Sequence, residues 1–228
     1  MSVSFEQSRP ADRISTEVWD MVGELEPAAV SDVLHARGFH DQVMRHGIGP
    51  IDTAAWLAGI ARTMQSQPLV GPPQAGREYE LLFAAIDGLQ PGEVLVSDRT
   101  DCCVWGELCS EAAICRGGNG AVIDGFSRDM GLVRKLGFPL FCRGSHMSDL
   151  LYHRTITGVN EAVYCGDVAV RPGDLLLGSE DGIVVIPGNS IEEVIREAWE
   201  KVKTESKVRI ALRNGMTAGE AYRKFGVM

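Results

Sequence analysis

The stretch from Gly106 to Gly144 constrains the fold more than any other part of this chain. Its sequence, GELCSEAAICRGGNGAVIDGFSRDMGLVRKLGFPLFCRG, reads as loop, helix, strand, loop, helix and strand. Successive units of this kind return the chain to the same edge of a sheet. Ligands of open α/β sheets bind at the carboxyl ends of the strands. We therefore expect the two loops of this stretch to face each other across one cleft.

The segments around this stretch predict a β-rich centre enclosed by helices. Residues 93–98, EVLVSD, are typical of a buried strand, and residues 99–105 read as the loop that leads to Gly106. A strand is also predicted from Gly59. After Gly144 the pattern is that of several short strands and tight turns.

The two ends of the chain have different predicted roles. Residues 1–14 are polar and are expected to form a flexible arm, whereas residues 15–228 are expected to form a single domain. That domain ends in a predicted helix at 189–214 and a short tail. Ser190 is the predicted N-cap of this helix, with Glu193 as its capping-box partner.

Composition limits the classes of partner. The formal net charge is -9, which argues against nucleic acid, because proteins that bind its backbone carry basic patches. No apolar run reaches the roughly 18 residues of a membrane span. The first residues contain no apolar signal-peptide core, and the six cysteines lack zinc or disulfide spacing. We expect a cytoplasmic protein with reduced thiols and no membrane partner.

The second loop of the central stretch, GFSRD, carries groups suited to an anion and a metal ion. Arg128 offers a planar fork that binds a carboxylate through two hydrogen bonds. Asp129 offers a hard oxygen ligand of the kind that Mg²⁺ or Mn²⁺ takes together with waters and substrate oxygens. The alternative is a surface turn that forms no site.

The first loop, WGEL, carries an acid at the start of a helix. Gly106 allows a ligand to approach the backbone closely, and the amides that follow it are free to bind an anion. Glu107 by itself is better explained as an acid that favours the positive end of the helix. One helix and one strand separate it from Arg128, so the two loops are expected to form one site.

These residues resemble the RraA-like family, which includes the class II 4-hydroxy-4-methyl-2-oxoglutarate/4-carboxy-4-hydroxy-2-oxoadipate aldolases. The resemblance rests on the motifs WGEL at 105–108, AVIDG at 121–125, Arg128-Asp129 and PLFCRG at 139–144, and it extends over about residues 25–215. It implies a compact layered α/β fold of the α/β/β/α, swivelling-domain-like type. It also implies a homotrimer or homohexamer with its site between subunits.

The resemblance also implies roles for individual residues. Asp129 would ligate Mg²⁺ or Mn²⁺, and Arg128 would bind the carboxylate of a 2-keto acid and stabilise the pyruvate enolate. The backbone of Gly106, Glu107 and Leu108 would hold the pyruvyl group, and the Glu107 carboxylate would relay protons. A glutamate of the neighbouring subunit's C-terminal helix would approach the metal; Glu205 is the best match and Glu200 is its rival.

The implied reaction is cleavage of a 4-hydroxy-2-keto acid to pyruvate and a second keto acid, with decarboxylation of oxaloacetate through the same enolate. One departure from the family pattern concerns Glu107, where the aldolase signature has Asp. The extra methylene moves the carboxylate by about 1 Å, a distance that matters for rate. Two alternatives are a non-catalytic regulator of an RNA-degrading endonuclease and a different lyase or hydrolase of anionic substrates. In the latter, residues 67–78 and 147–157 would reshape the pocket.

Overall fold

The computed structural model describes residues 14–227. The helices are α1 (Thr16–Val22), α2 (Pro27–Ala36), α3 (Glu80–Asp87), α4 (Glu107–Cys115), α5 (Met130–Leu136), α6 (Ile191–Arg213) and α7 (Ala218–Phe225). The strands are β1 (Gly49–Pro50), β2 (Leu57–Pro68), β3 (Glu93–Ser97), β4 (Cys103–Trp105), β5 (Gly120–Ile123), β6 (Phe126–Ser127), β7 (Leu140–Cys142), β8 (Arg154–Val159), β9 (Val163–Cys165), β10 (Val168–Val170), β11 (Leu175–Ser179) and β12 (Gly182–Ile186). A 3₁₀ turn spans Leu150–Tyr152.

One mixed sheet forms the centre of the described part of the chain. Its strand order is β1-β7-β5-β3-β2-β11-β12, and β8 pairs with the outer part of β2. The strands β2, β3, β5 and β7 run parallel, whereas β11 and β12 form an antiparallel pair beside β2. The α/β crossovers of the central stretch therefore place the carboxyl ends of β3, β5 and β7 at one edge.

The two ends of this sheet curl toward each other and nearly close a barrel. The segment before β2 bridges them, because the backbone N–H of Met44 donates to the carbonyl of Ile183 at 2.9 Å, and Gly49 pairs with Cys142. The enclosed space is filled by side chains such as those of Val122 and Phe141, both fully buried. Close packing of this interior fixes the relative positions of the strands.

Helices cover the outside of the curled sheet in two layers. Helices α3, α4 and α5 pack over the parallel strands, and α1, α2 and α6 pack over β11 and β12. Leu175 and Leu177 face the second helical layer, while Leu176 between them faces the barrel interior. Strands buried on both faces need continuous apolar sequences, as LLL at 175–177 provides. The predicted α/β/β/α layering is confirmed.

Several predicted boundaries need correction. Strand β2 begins at Leu57 instead of Gly59, and residues 99–105, which read as loop, contain the short strand β4. The predicted arm lies outside the described residues except for Ile14, whose side chain is buried.

The predicted capping box at the start of α6 is wrong. Ser190 is the N-cap, but its side chain makes no capping hydrogen bond and its hydroxyl donates to Asn189 instead. The backbone of Ser190 is not in the extended conformation that capping needs. A complete capping box is present at α7, between Thr217 and Glu220.

The C-terminal helix α6 is amphipathic and spans 23 residues. Its buried side, which includes Val194 and Ala198, packs against α1 and α2. A membrane-spanning segment is not found among the helices of residues 14–227, none of which combines the necessary length with sufficient apolar character.

Candidate active site

A small second sheet brings the two predicted loops together. Strand β4 precedes the first loop, strand β6 lies within the second loop just before Arg128, and the two strands pair in parallel beyond the main sheet. The carbonyl of Trp105 accepts from the backbone N–H of Arg128 at 3.1 Å and from the hydroxyl of Ser127 at 3.0 Å. The residue that precedes Gly106 is thereby joined directly to the segment that carries Arg128. The two loops therefore lie side by side, as the order of elements predicts.

Asp129 has a backbone conformation that is uncommon outside glycine. Its φ is 58°, in the left-handed region, and it stands as the N-cap of α5. Its side chain makes no capping hydrogen bond, although its carbonyl accepts from Leu132 and Val133. Asp tolerates this conformation better than most residues, but the conformation still costs free energy. The carboxylate is therefore directed away from the helix that it precedes.

Gly106 leaves space for that carboxylate. A Cβ atom at Gly106 would lie 3.0 Å from Oδ2 of Asp129 and 3.5 Å from Cγ of Arg128. The φ of Gly106 is -160°, which any residue adopts, so the requirement for glycine is one of space and not of backbone strain. The close approach expected at Gly106 is thus made by the side chain of Asp129.

A cavity of about 250 Å³ is lined by all the residues predicted for the site of one chain, namely Gly106, Glu107, Leu108, Arg128 and Asp129. Within residues 14–227, the Glu107 carboxylate has no hydrogen-bonding or ion-pair partner, so it is free to bind a ligand. A second cavity, of about 650 Å³, is lined by Arg128 and Asp129 together with residues 145–148. These two residues therefore line both cavities.

Two functional candidates were missed by the sequence reasoning. Oδ2 of Asp149 forms an ion pair with Nη2 of Arg128 at 2.9 Å, and Oδ1 accepts from the hydroxyl of Tyr79 at 2.8 Å. The backbone N–H of Leu151 also donates to Oδ1, at 2.9 Å. The sequence signal at Asp149 is that of a cap for a short helical turn, which it also is. Asp149 and Arg128 lie on segments that are separate in sequence, so neither segment by itself predicts their contact.

Burial controls the titration of the remaining groups in this cavity. Burial is the larger cause, and the hydrogen bond to Asp149 the second, that raise the pKa of Tyr79 to about 12. The Tyr79 hydroxyl therefore remains a hydrogen-bond donor at neutral pH. Burial also raises the pKa of the Cys103 thiol to about 11 and that of the Cys109 thiol above its ordinary value. These thiols are neutral near pH 7, which disfavours a thiolate nucleophile at this site.

The donor set of the cavity fits a hard divalent cation that retains much of its water. Residues 14–227 contain no cluster of three or more His, Cys, Asp or Glu side chains suited to a metal. Mg²⁺ commonly binds through one or two carboxylates, with waters and substrate oxygens completing the shell. Asp129 and Glu107 are two carboxylates on one cavity, and the missing side chain at Gly106 keeps the Asp129 oxygen accessible.

Glu205 does not line the cavity of its own chain. It lies on α6, in the helical layer beside α1 and α2, and its carboxylate is 3.6 Å from Nζ of Lys201. Lys201 also contacts Asp32. Glu200, the rival candidate, pairs with Lys203 and is largely exposed. Either glutamate would have to reach this site from another subunit.

The fold and cavity together define an α/β protein with a charged cleft beyond the carboxyl ends of its parallel strands. The RraA-like family model, described as Aldolase/RraA, matches residues 27–185, and the chain belongs to this family. A Halalkalibacterium halodurans protein provisionally named 4-hydroxy-4-methyl-2-oxoglutarate aldolase is 32% identical over 178 residues, which cover 77% of this chain and 80% of that protein.

Two further similarities extend the comparison. Protein DlpA of Legionella pneumophila is 28% identical over 199 residues, or 85% of this chain, but the match spans only 31% of that longer protein. The crystal structure of Streptomyces coelicolor RraAS2, described as an unusual member of the RNase ES inhibitor RraA protein family, aligns with a TM-score of 0.77 and 27% identity. That alignment covers 86% of this chain and 98% of RraAS2.

Proposed function

We propose that this protein is a divalent-metal-dependent carbon–carbon lyase that cleaves 4-hydroxy-2-keto acids to pyruvate and a second carbonyl compound. The same site would decarboxylate oxaloacetate, because both reactions pass through the pyruvate enolate. The observation that carries the proposal is that Arg128, Asp129 and Glu107 line one cavity. The absence of a side chain at Gly106 leaves room there for the carboxylate of Asp129. The likeness to a protein provisionally named an aldolase supports it.

Arg128 binds the carboxylate of the 2-keto acid in this proposal. Its side chain is 44% exposed, and Asp149 holds one end of its guanidinium at 2.9 Å. The planar group can therefore present its other N–H donors to a ligand in a defined orientation. As the C3–C4 bond breaks, negative charge moves onto the C2 oxygen, and a fixed cation beside it lowers the free energy of that charge.

Glu107 handles protons. The C4 hydroxyl must lose its proton when the new carbonyl forms, and C3 of the enolate must then gain one. The carboxylate of Glu107 lies on the cavity without another partner and can exchange these protons directly or through one water. No lysine lines the cavity within the described residues, which favours this route over a Schiff base.

Asp129 is the residue of this chain that would ligate Mg²⁺ or Mn²⁺, and Glu107 would bind a water molecule of the ion. The ion would polarise the keto group as a Lewis acid. We further propose that the protein assembles as a homotrimer or homohexamer in which Glu205 of a neighbouring subunit completes the site. The six unpaired cysteines support a reducing, cytoplasmic location.

Release of pyruvate tests the proposed function. The purified protein is incubated with 4-hydroxy-4-methyl-2-oxoglutarate or oxaloacetate and Mg²⁺ or Mn²⁺, and pyruvate is followed through lactate dehydrogenase. We expect turnover that ceases with excess chelator and returns with added metal. Absence of turnover with both substrates and both metals, together with no effect of Asp129→Ala on binding of pyruvate, would refute the proposal.

The likeness to RraAS2 favours one alternative, a non-catalytic regulator of an RNA-degrading endonuclease. It predicts inhibition of such an endonuclease by the wild type and equally by Arg128→Ala. A different lyase or hydrolase of anionic substrates is favoured by Asp149, because residues 147–157 do reach the site and place a carboxylate against Arg128. A substrate screen that finds turnover without pyruvate release would identify that case.

A further inference from the structure

Asp149 lines the same cavity as Arg128, yet the proposed reaction gives its carboxylate no step of its own. One of its oxygens, Oδ2, lies 2.9 Å from Nη2 of Arg128. The other, Oδ1, accepts hydrogen bonds from the hydroxyl of Tyr79 at 2.8 Å and from the backbone N–H of Leu151 at 2.9 Å. One oxygen therefore contacts the guanidinium, while the other is held in place by the fold.

The segment that carries Asp149 is fixed to the strand that leads into the site. The backbone N–H of Cys103 donates to the carbonyl of Ser148 at 2.8 Å, and Cys103 forms a parallel bridge with Asp149. Cys103 is the first residue of β4, which ends at Trp105 directly before Gly106. A side chain supported in this way by backbone pairing and hydrogen bonds has its position set before any ligand binds.

Tyr79 ties this carboxylate to a second element. It is the residue directly before α3, and its ring packs against the buried core that includes Val104 and Trp105. Its hydroxyl remains protonated at neutral pH, because burial and then the hydrogen bond to Asp149 raise the pKa of Tyr79. A constant donor therefore faces Oδ1 of Asp149, which leaves Oδ2 directed toward Arg128.

The guanidinium of Arg128 depends on this contact for its orientation. The side chain is 44% exposed, and its Nε lies 4.0 Å from Oδ2 of Asp129, which is beyond hydrogen-bonding distance. Within residues 14–227, the contact with Asp149 is the one hydrogen-bonding contact of this guanidinium. A long, exposed side chain without such a contact samples many rotamers, so its fork would have no defined direction.

We propose that Asp149 and Tyr79 are positioning residues that hold the Arg128 guanidinium in the orientation that binds the substrate carboxylate and stabilises the enolate. This inference rests on the proposed function and adds two residues to its site. Asp149 acts through Arg128, and Tyr79 acts through Asp149, so neither has to touch the substrate. All of these contacts lie within one chain, and they are therefore independent of the groups that a neighbouring subunit adds to the site.

Asp149→Asn tests the ion pair while it preserves the other contacts of this side chain. The amide oxygen can still accept from Tyr79 and Leu151, whereas the amide nitrogen would face Nη2 of Arg128 as donor against donor. We expect kcat/KM for pyruvate release from oxaloacetate to fall at least about tenfold. Asp149→Glu, which keeps the charge, should retain more activity than Asp149→Asn. Tyr79→Phe removes one hydrogen bond and should lower kcat/KM roughly two- to tenfold.

Two variants away from the cavity serve as matched controls. Asp167 also pairs with an arginine, at 3.0 Å from Nη1 of Arg45, and neither of these residues lines the cavity. Tyr164 lies on β9 and is largely exposed. Asp167→Asn and Tyr164→Phe should each keep kcat/KM within about twofold of the wild type.

The opposite result for Asp149→Asn has a clear meaning. If Asp149 competes with the substrate for the guanidinium, removal of its charge should lower KM and leave kcat unchanged. That outcome would overturn the inference, because a positioning contact must favour binding and not oppose it.

A double-mutant cycle with Arg128→Lys separates positioning from a general structural role. Lysine presents a point charge and has no planar fork to orient. In that background, Asp149→Asn should lower kcat/KM by no more than about threefold. A structural defect would instead lower kcat/KM by the same factor with arginine or lysine at position 128. Equal factors in the two backgrounds would therefore overturn the inference.

Binding of pyruvate separates failure of this inference from failure of the proposed function. Calorimetric titration of the full-length protein with pyruvate in the presence of Mg²⁺ measures carboxylate binding without turnover, and Asp149→Asn should weaken it. Wild-type turnover with unchanged kcat/KM and unchanged pyruvate affinity in Asp149→Asn would refute positioning and leave the lyase intact. Weaker pyruvate binding in Asp149→Asn without turnover by the wild type would support the orientation of Arg128 and refute the lyase. Absence of both binding and turnover in the wild type would refute both.

Discussion

Replacement of Arg128 provides the sharpest separation of function from stability in this protein. In Arg128→Ala, the fold loses an ion pair with Asp149 whose partners are 44% and 29% exposed. Pairs of that kind contribute about 0.2–1 kcal/mol. The backbone hydrogen bond from Arg128 to Trp105 is unaffected by the substitution. The free energy of unfolding should therefore change by no more than about 1 kcal/mol.

The effect on catalysis should be much larger. A hydrogen bond to a charged group contributes about 1.5–3 kcal/mol, so a two-point contact with the substrate carboxylate corresponds to about 3–6 kcal/mol. At about 1.4 kcal/mol per factor of ten, kcat/KM should fall by roughly 10²- to 10⁴-fold in Arg128→Ala. Arg128→Lys keeps the charge and loses the fork, so a decrease of roughly 10- to 100-fold is expected.

The assay combines pyruvate release from oxaloacetate with denaturant unfolding of the same preparations. Arg134→Ala is the matched control, since Arg134 lies six residues further on, within α5, and its side chain donates to the carbonyl of Ile51, away from the cavity. We expect its kcat/KM to stay within about twofold of the wild type. Retention of kcat/KM within threefold in Arg128→Ala would refute the assigned role in carboxylate binding. A loss of activity matched by a large loss of stability would refute the reasoning that separates the two effects.

Three further predictions concern the neighbouring groups. Gly106→Ala should lower kcat/KM and Mn²⁺ affinity by about tenfold, because the added Cβ would displace the Asp129 carboxylate. The free energy of unfolding should change by less than about 1 kcal/mol. An unchanged Mn²⁺ affinity would contradict this geometry. The folded-state pKa of Tyr79, about 12, lies above its unfolded value near 10. The stability that the neutral phenol contributes is therefore complete below pH 10 and is lost as the pH rises through 12. Absorbance at 295 nm should show one tyrosine that titrates late, and Tyr79→Phe should remove that step. Mixing inactive Arg128→Ala and Glu205→Gln subunits should restore part of the activity if the site is shared, and no recovery after verified subunit exchange would exclude Glu205.

The sequence alone was sufficient to predict five of the residues that line the cavity of one chain, namely Gly106, Glu107, Leu108, Arg128 and Asp129. Glu107 and Arg128-Asp129 could be paired because one helix and one strand return the chain to the same sheet edge, a consequence of chain geometry that needs no tertiary contact. The structure adds how this happens, through the pairing of β4 with β6. Strand β4 was not predicted, because a three-residue strand carries too little periodicity to be distinguished from loop.

Tertiary structure decided what the sequence could not. The contact of Asp149 with Arg128 and Tyr79 joins three segments that are far apart in sequence, and no local pattern encodes it. The left-handed backbone of Asp129 and the space at Gly106 depend on how two loops meet. Local propensity and hydrophobic period therefore determined the elements and the order in which they return to one edge. The orientation of each charge arises only when the packed core brings distant segments together.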